Sequence, residues 1–183
     1  MAYYYFDFRY AERQNLRYLL TSLLTQLSAY SEPCCNIIFR LYSTHGNGTQ
    51  QPSCGVLMNC LKEMLEGVAK QPVYIIIDAL DECPNISGSL NPREVLLDFL
   101  KDLVDLHIPN LHICVSGRPE IDIKVVLEPL AYSTVSLHDE SGQQKVISDY
   151  VKTFVSSDEN LWRWSDGDKK LVVELLSEKA EGR

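Results

Sequence analysis

Pro72-Val-Tyr-Ile-Ile-Ile-Asp78-Ala-Leu-Asp81-Glu82-Cys-Pro84 decides how the rest of the chain is read. Five apolar or aromatic residues, Val73 to Ile77, run unbroken into three carboxylates, and a proline closes each end. Such a run, rich in β-branched side chains, predicts a strand buried on both faces, as in a parallel sheet. Asp78 then stands at the carboxyl end of that strand, the rim on which open α/β sheets bind ligands. A carboxylate held there suits a hard cation such as Mg²⁺.

An apolar strand, an Asp and then an acidic pair is the form of a Walker B motif. In phosphoryl-transfer sites of this form the Asp holds Mg²⁺, and a following carboxylate orients or deprotonates the attacking water. Asp78 is therefore the candidate metal residue and Glu82 the candidate for the water. Asp81 assists either. The same residues also describe a solvated acidic turn that merely ends a core strand. The rest of the chain weighs between the two.

At 183 residues and 45% hydrophobic content, the chain can bury a substantial core and is too apolar for a disordered segment. A formal charge of −8 argues against nucleic acid as a partner, because phosphate backbones are bound by clustered Lys and Arg. Cys34, Cys35, Cys54, Cys60, Cys83 and Cys114 show neither CxxC spacing nor a histidine pattern. They read as reduced thiols that pack as small apolar groups, not as a zinc site or a disulfide framework. Met1 opens no secretory signal, and no apolar run approaches the ~20 residues of a membrane span. A cytosolic location away from membranes is expected.

Ala2 to Phe8 is aromatic and strand-like. Leu16, Leu19, Leu20, Leu23, Leu24 and Leu27 repeat at helical spacing and predict an amphipathic helix from about Ala11 to Ala29. Ser31 to Ser53 reads as a loop with a surface turn at His45-Gly46-Asn47-Gly48-Thr49. No lysine follows those glycines, so they are not a phosphate loop. Ser53 caps a helix from roughly Cys54 to Ala69 with Leu57, Leu61, Met64, Leu65 and Val68 inward. A Ser/Gly/Asn-rich loop after Pro84 leads to Asn91-Pro92-Arg93-Glu94, an N-cap, a proline at N1 and a glutamate at N3. That helix runs to about Leu106 on Leu96, Leu97, Leu100, Leu103 and Val104.

Leu111 to Val115 is the next strand, ending in Ser116-Gly117-Arg118-Pro119. A short helix near Ile121 to Leu127 and a strand near Thr134 to Leu137 follow. The helix from about Ser141 to Val155 turns Val146, Ile147, Tyr150, Val151 and Phe154 inward. Another starts at Ser165 and buries Leu171, Val172, Leu175 and Leu176, with Trp162 and Trp164 packed beside the last helices. Alternating strands and helices predict a parallel sheet covered on both faces and joined by right-handed crossovers. The all-helical residues after Leu137 read as the start of a separate subdomain.

Arg118 closes its strand as Asp78 closes the one before it. One crevice could therefore hold both. The guanidinium is planar, permanently charged and donates two parallel hydrogen bonds, which fits it to sense a terminal phosphate. The alternatives are an ion pair with Asp78, Asp81 or Glu82, or a surface arginine before a proline.

Taken together, these segments resemble the NACHT nucleotide-binding domain, and more narrowly the nephrocystin-like NACHT modules found in fungal proteins that carry repeats. The motifs are Phe6-Asp7-Phe8-Arg9, the leucine helix, Ile75-Ile-Ile-Asp-Ala-Leu-Asp-Glu82, Ile113-Cys-Val-Ser-Gly-Arg-Pro-Glu-Ile121 and Val135-Ser-Leu-His-Asp139. The resemblance implies a three-layer P-loop NTPase-like fold of the STAND signalling class. Residues 1–138 would be a partial α/β core with the Walker B and sensor 1 elements, and 139–183 the beginning of a helical subdomain. It further implies ATP or GTP with Mg²⁺ as cofactor, Asp78 on the metal, Asp81 and Glu82 in hydrolysis, and Arg118 on the nucleotide. Self-association with other NACHT modules is a possible partnership.

Two features depart from the family. The sensor turn, usually Thr-Ser-Arg-Pro, is here Ser116-Gly117-Arg118-Pro119. The sequence also holds no Gly-Lys pair, so Walker A, G-x-x-x-x-G-K-[ST], is absent from it. In the family the strand, loop and helix that carry it precede Ala2 and amount to on the order of 30 residues. The family also continues beyond Arg183. The expected function is the Walker B and sensor half of a slowly hydrolysing nucleotide switch, with little nucleotide affinity in the isolated chain. The alternative is a scaffold module from a degenerate or truncated NACHT protein that does no chemistry. A two-metal nuclease is discarded for want of a further ligand nearby and for its surface charge.

Overall fold

The run after Pro72 forms β2, Val73–Asp78, the middle strand of a three-stranded parallel sheet ordered β1-β2-β3. The structure is a computed structural model that describes residues 1–86, 91–136, 141–158, 161 and 163–179. β1 is Ala2–Tyr5 and β3 is Leu111–Val115. Tyr5 stands opposite Asp78, and Ile77 opposite Val115, so the three strands end together on one rim.

Seven α-helices occur among the described residues: α1 Leu16–Ser28, α2 Glu32–Thr44, α3 Cys54–Gly67, α4 Pro92–Asp105, α5 Ile121–Leu127, α6 Ser141–Ser157 and α7 Asp166–Lys179. The first four are capped as helix termini require, since the opening N–H groups have no intrahelical acceptor. Asn15, Ser31, Ser53 and Asn91 accept from the backbone N–H of Tyr18, Cys34, Val56 and Arg93 respectively. The leucine stripe of α1, the Leu57–Leu65 face of α3 and the Leu96–Leu103 face of α4 meet Ile75 and Ile77 in one hydrophobic core.

Four expectations need correction. Among the described residues the sheet is not covered on both faces. Val73, Ile75 and Ile77 are buried, but Tyr74 between them is 48% exposed, as are Tyr3 at 58% and Tyr5 at 54% on the neighbouring strand. The cause is topological. Strand order β1-β2-β3 never reverses, so right-handed crossovers put every connecting helix on the same face. The uninterrupted apolar run hid a one-sided burial.

Ser31 to Ser53 is also not a loop throughout, because α2 fills its first half. Ser31 caps it, Pro33 sits in its first turn, and Cys34 and Ile37 are buried with Ile38 and Leu41 against the core. Thr134 to Ser136 form no strand, and Val135 is 73% exposed. A strand needs a hydrogen-bonded neighbour, and these residues have none in the sheet. Leu137, His138 and Asp139, the last three residues of the motif that begins at Val135, lie outside the described residues, as do 87–90 of the loop after Pro84.

The fourth correction concerns α6 and α7, which pack on each other with Val151 and Val172 half-buried, while most of the described residues of their expected inner faces stay solvated. Val146, Tyr150 and Phe154 are exposed, and so are Leu171, Leu175, Leu176 and Trp164, the last expected to pack beside these helices. Periodicity tells which residues share a helix face, not whether anything covers it. Trp162 and the side chain of Ile147 lie outside the described residues. The chain divides into two compact units, Met1–Ala131 and Tyr132–Arg183.

Candidate functional site

Asp78 ends β2, and the chain leaves the strand through Ala79, which is left-handed at φ 55°. A non-glycine residue pays about 1–2 kcal/mol for that conformation. The turn is held open by what surrounds it: the Ala79 N–H donates to Asp78 Oδ1 at 2.9 Å, and Leu80, fully buried, anchors the next turn in the core. Leu80–Glu82 then form a single 3-10 turn that carries Asp81 and Glu82.

β3 stitches itself to this turn. The Ser116 N–H donates to the Ile77 carbonyl at 2.9 Å, and the Leu80 N–H to the Ser116 carbonyl at 3.0 Å. The Ser116 hydroxyl donates to Asp78 Oδ1. Two residues on, the Arg118 N–H donates to Asp81 Oδ1 at 3.0 Å, and Arg118 Nε lies 3.5 Å from Asp81 Oδ2. Asp81 is largely enclosed, with 10% of its side chain accessible, while the Arg118 side chain remains 73% exposed. Gly117 permits the approach: a Cβ there would lie 3.0 Å from Asp81 Oδ1 and 3.2 Å from the Asp81 backbone nitrogen.

On the other side, Glu82 Oε2 accepts from the Phe8 N–H at 2.8 Å, just past the end of β1. The Phe6 N–H donates to the Asp78 carbonyl at 3.1 Å. Next to this contact Arg9 grips Asp7, which lowers the Asp7 pKa and raises that of Arg9 through their shared hydrogen bonds.

The structure therefore brings three of the four sequence candidates into direct linkage. Asp78 and Asp81 meet the Ser116–Arg118 turn, whereas Glu82 reaches toward β1. In this arrangement Arg118 is the ion-pair partner of Asp81. Among the described residues no three His, Cys, Asp or Glu side chains converge as a metal cage. Mg²⁺ is commonly held by one or two carboxylates together with substrate phosphates and water. Asp78 fits that role, since its Oδ1 is engaged and its Oδ2 is bonded to nothing among the described residues.

Two residues of the site escaped the sequence reading. Ser116 was only part of a strand end. Arg93 reads in the sequence only as part of a capping motif, yet it is 4% exposed and donates to the backbone of the acidic turn. One signal was available: a cation in the first turn of a helix opposes the helix dipole, which asks for a compensating partner. Burial pulls the Arg93 pKa down, but the hydrogen bond and charge of Glu120, with Asp122, outweigh it and leave the group above an ordinary arginine.

A family model described as nephrocystin 3, N-terminal, matches residues 1–118. Neither curated proteins nor solved structures returned a match. The matched stretch takes in all three strands and runs from β1 to Arg118, so every candidate residue lies within it. By that match over most of its length, the chain belongs to the nephrocystin 3 N-terminal family.

Proposed function

We propose that this chain is the Walker B and sensor 1 portion of a NACHT-type, P-loop NTPase-like switch that binds ATP or GTP with Mg²⁺. One observation carries the reading: Asp78, Asp81 and Arg118 lie at the carboxyl ends of two adjacent parallel strands, joined through Ser116 and Gly117. That rim is where parallel sheets bind ligands. Mg²⁺ supplies charge neutralisation at the phosphates when bound. On this reading Asp78 holds the metal and Glu82 orients the water, with Asp81 keeping Arg118 at the rim until a phosphate competes for its guanidinium.

Among the described residues β3 is an edge strand. It is the edge at which the phosphate-binding strand of the resembling family would pair. With no Walker A in the sequence, the 183-residue chain lacks the amides and lysine that cradle phosphates. Calorimetric titration of Mg²⁺-ATP and Mg²⁺-GTP into it is expected to give no micromolar binding. A longer protein in which G-x-x-x-x-G-K-[ST] precedes this chain in frame is expected to bind with Mg²⁺ dependence. Asp78→Asn should abolish that dependence, and Glu82→Gln should stop hydrolysis while sparing binding. Failure of such a protein to bind either nucleotide would sink the proposal.

A further inference from the structure

We propose that Arg93 is a positioning residue of this site, a clamp that fixes the acidic turn against the Arg118 turn; its functional meaning rests on the reading just given. Its fork divides between two chain segments. Toward the acidic turn, Nε donates to the Cys83 carbonyl at 2.8 Å and Nη2 to the Asp81 carbonyl at 2.5 Å, so the two acceptors bracket Glu82. Toward the segment after β3, Nη1 donates to Glu120 Oε2 and, at 3.3 Å, to Asp122 Oδ2. Glu120 in turn donates its N–H to the Arg118 carbonyl at 2.8 Å. One rigid planar group thus reaches both halves of the candidate site.

Packing alone does not call for a cation here. α4 already buries Leu96, Leu97, Phe99, Leu100 and Leu103, and a buried charge is costly unless it is paired and hydrogen-bonded. Arg93 is matched to backbone carbonyls on one side and carboxylates on the other, a geometry a lysine cannot reproduce because it lacks the planar fork. Asp122 is held in place as well, accepting from Asn85 Nδ2 at 3.0 Å.

The clamp is read at one amide. The Arg118 N–H is bonded to the Asp81 carboxylate, while the nearby Ser116 N–H is bonded to the β2 carbonyl of Ile77. Hydrogen exchange by NMR on the ¹⁵N-labelled 183-residue chain compares them. In Arg93→Lys, folded by circular dichroism, Arg118 should exchange roughly tenfold faster relative to Ser116, the size of one charge-assisted hydrogen bond. A residue that only supports the fold would move both amides together. Parallel changes, or an unchanged Arg118 amide, overturn the proposal. Should the Arg93 variants not fold, the pair Glu120→Gln and Asp122→Asn, at partly exposed carboxylates, decides by the same ratio. No nucleotide enters this measurement, so a failed clamp leaves the nucleotide reading standing, and a failed nucleotide titration leaves the clamp standing.

Discussion

At Gly117 the β3 turn and the acidic turn leave only tight room for a methyl group. A Cβ would stand 3.0 Å from Asp81 Oδ1 and 3.3 Å from the Leu80 backbone nitrogen, closer than ordinary van der Waals contact, and the two turns it would press apart are linked by backbone hydrogen bonds. Gly117→Ala should therefore cost about 1–3 kcal/mol, the range for overpacking, read as a lower urea midpoint. A midpoint equal to that of the parent would mean that the two turns are not in contact. A second residue-scale test uses Cys83, fully buried beneath the acidic turn with its thiol directed at the Gln14 carbonyl. Burial pushes this thiol up to about 11 from an ordinary 9.0, against the opposing pull of Arg93. Below about pH 9 both folded and unfolded chains keep the proton, and the full stability is present. As pH rises toward about 11 only the unfolded chain releases it, so stability falls, by on the order of 2–3 kcal/mol. Urea melts at about pH 8 and pH 11 should show a loss in the parent chain that is smaller by this amount in Cys83→Ala.

Among the elements, the two edges of the sheet are treated differently. The outward backbone of β1 is occupied by α1: the Tyr3 N–H donates to Gln26 Oε1 at 3.0 Å, and Gln26 Nε2 donates to the Tyr3 carbonyl at 2.6 Å. A side-chain amide thus stands in for a missing strand and blunts an edge that would otherwise template pairing. Gln26→Ala should lower stability by about 1 kcal/mol and raise time-dependent light scattering, because water replaces the bonds but does not block the edge. Unchanged scattering would mean that the edge is protected by other means. Elements written as dense apolar runs or sharp caps were readable in advance: β3 and α5 fall where expected, and α3 and α4 begin at Ser53 and Asn91 as their caps dictate. The stripe of α2, Cys34, Ile37, Ile38 and Leu41, is thin and built mostly on Cys and Ile, which have middling helix propensity, so it is faint in the sequence although Ser31 and Pro33 carry the same start signal. The open face bearing Tyr3, Tyr5 and Tyr74 was not readable. It depends on the order in which strands join, which no local pattern encodes. At the site, Asp78 was legible as a strand end, whereas Arg118, expected to close its strand, stands in the turn three residues past Val115, and Asp81 in the turn after β2. Arg93 was not, since its partners are backbone carbonyls and carboxylates up to 29 residues away.

On the scale of the whole molecule, the two compact units differ in how much each can bury. Met1–Ala131 holds the sheet and the core of α1, α3 and α4. In Tyr132–Arg183, Val155 is the one hydrophobic side chain buried among those described, and Tyr150 and Phe154 stack at 6.3 Å on an exposed face. Hydrophobic burial is the main term opposing chain entropy. Among the described side chains this core is thin, and a thin core supports little stability of its own. Sequence provides a probe, because both tryptophans, Trp162 and Trp164, fall in this second unit. Most of the helical signal, by contrast, comes from α1 to α4. Tryptophan fluorescence should accordingly complete its change at lower urea than far-ultraviolet circular dichroism, which should retain a later, steeper transition from the first unit. Non-coincident probes are the mark of units that unfold separately. A single transition, identical by both signals, would count against this. It would mean that the solvated leucines of α7 and the aromatic residues of α6 gain their stability from burial beyond their own hairpin.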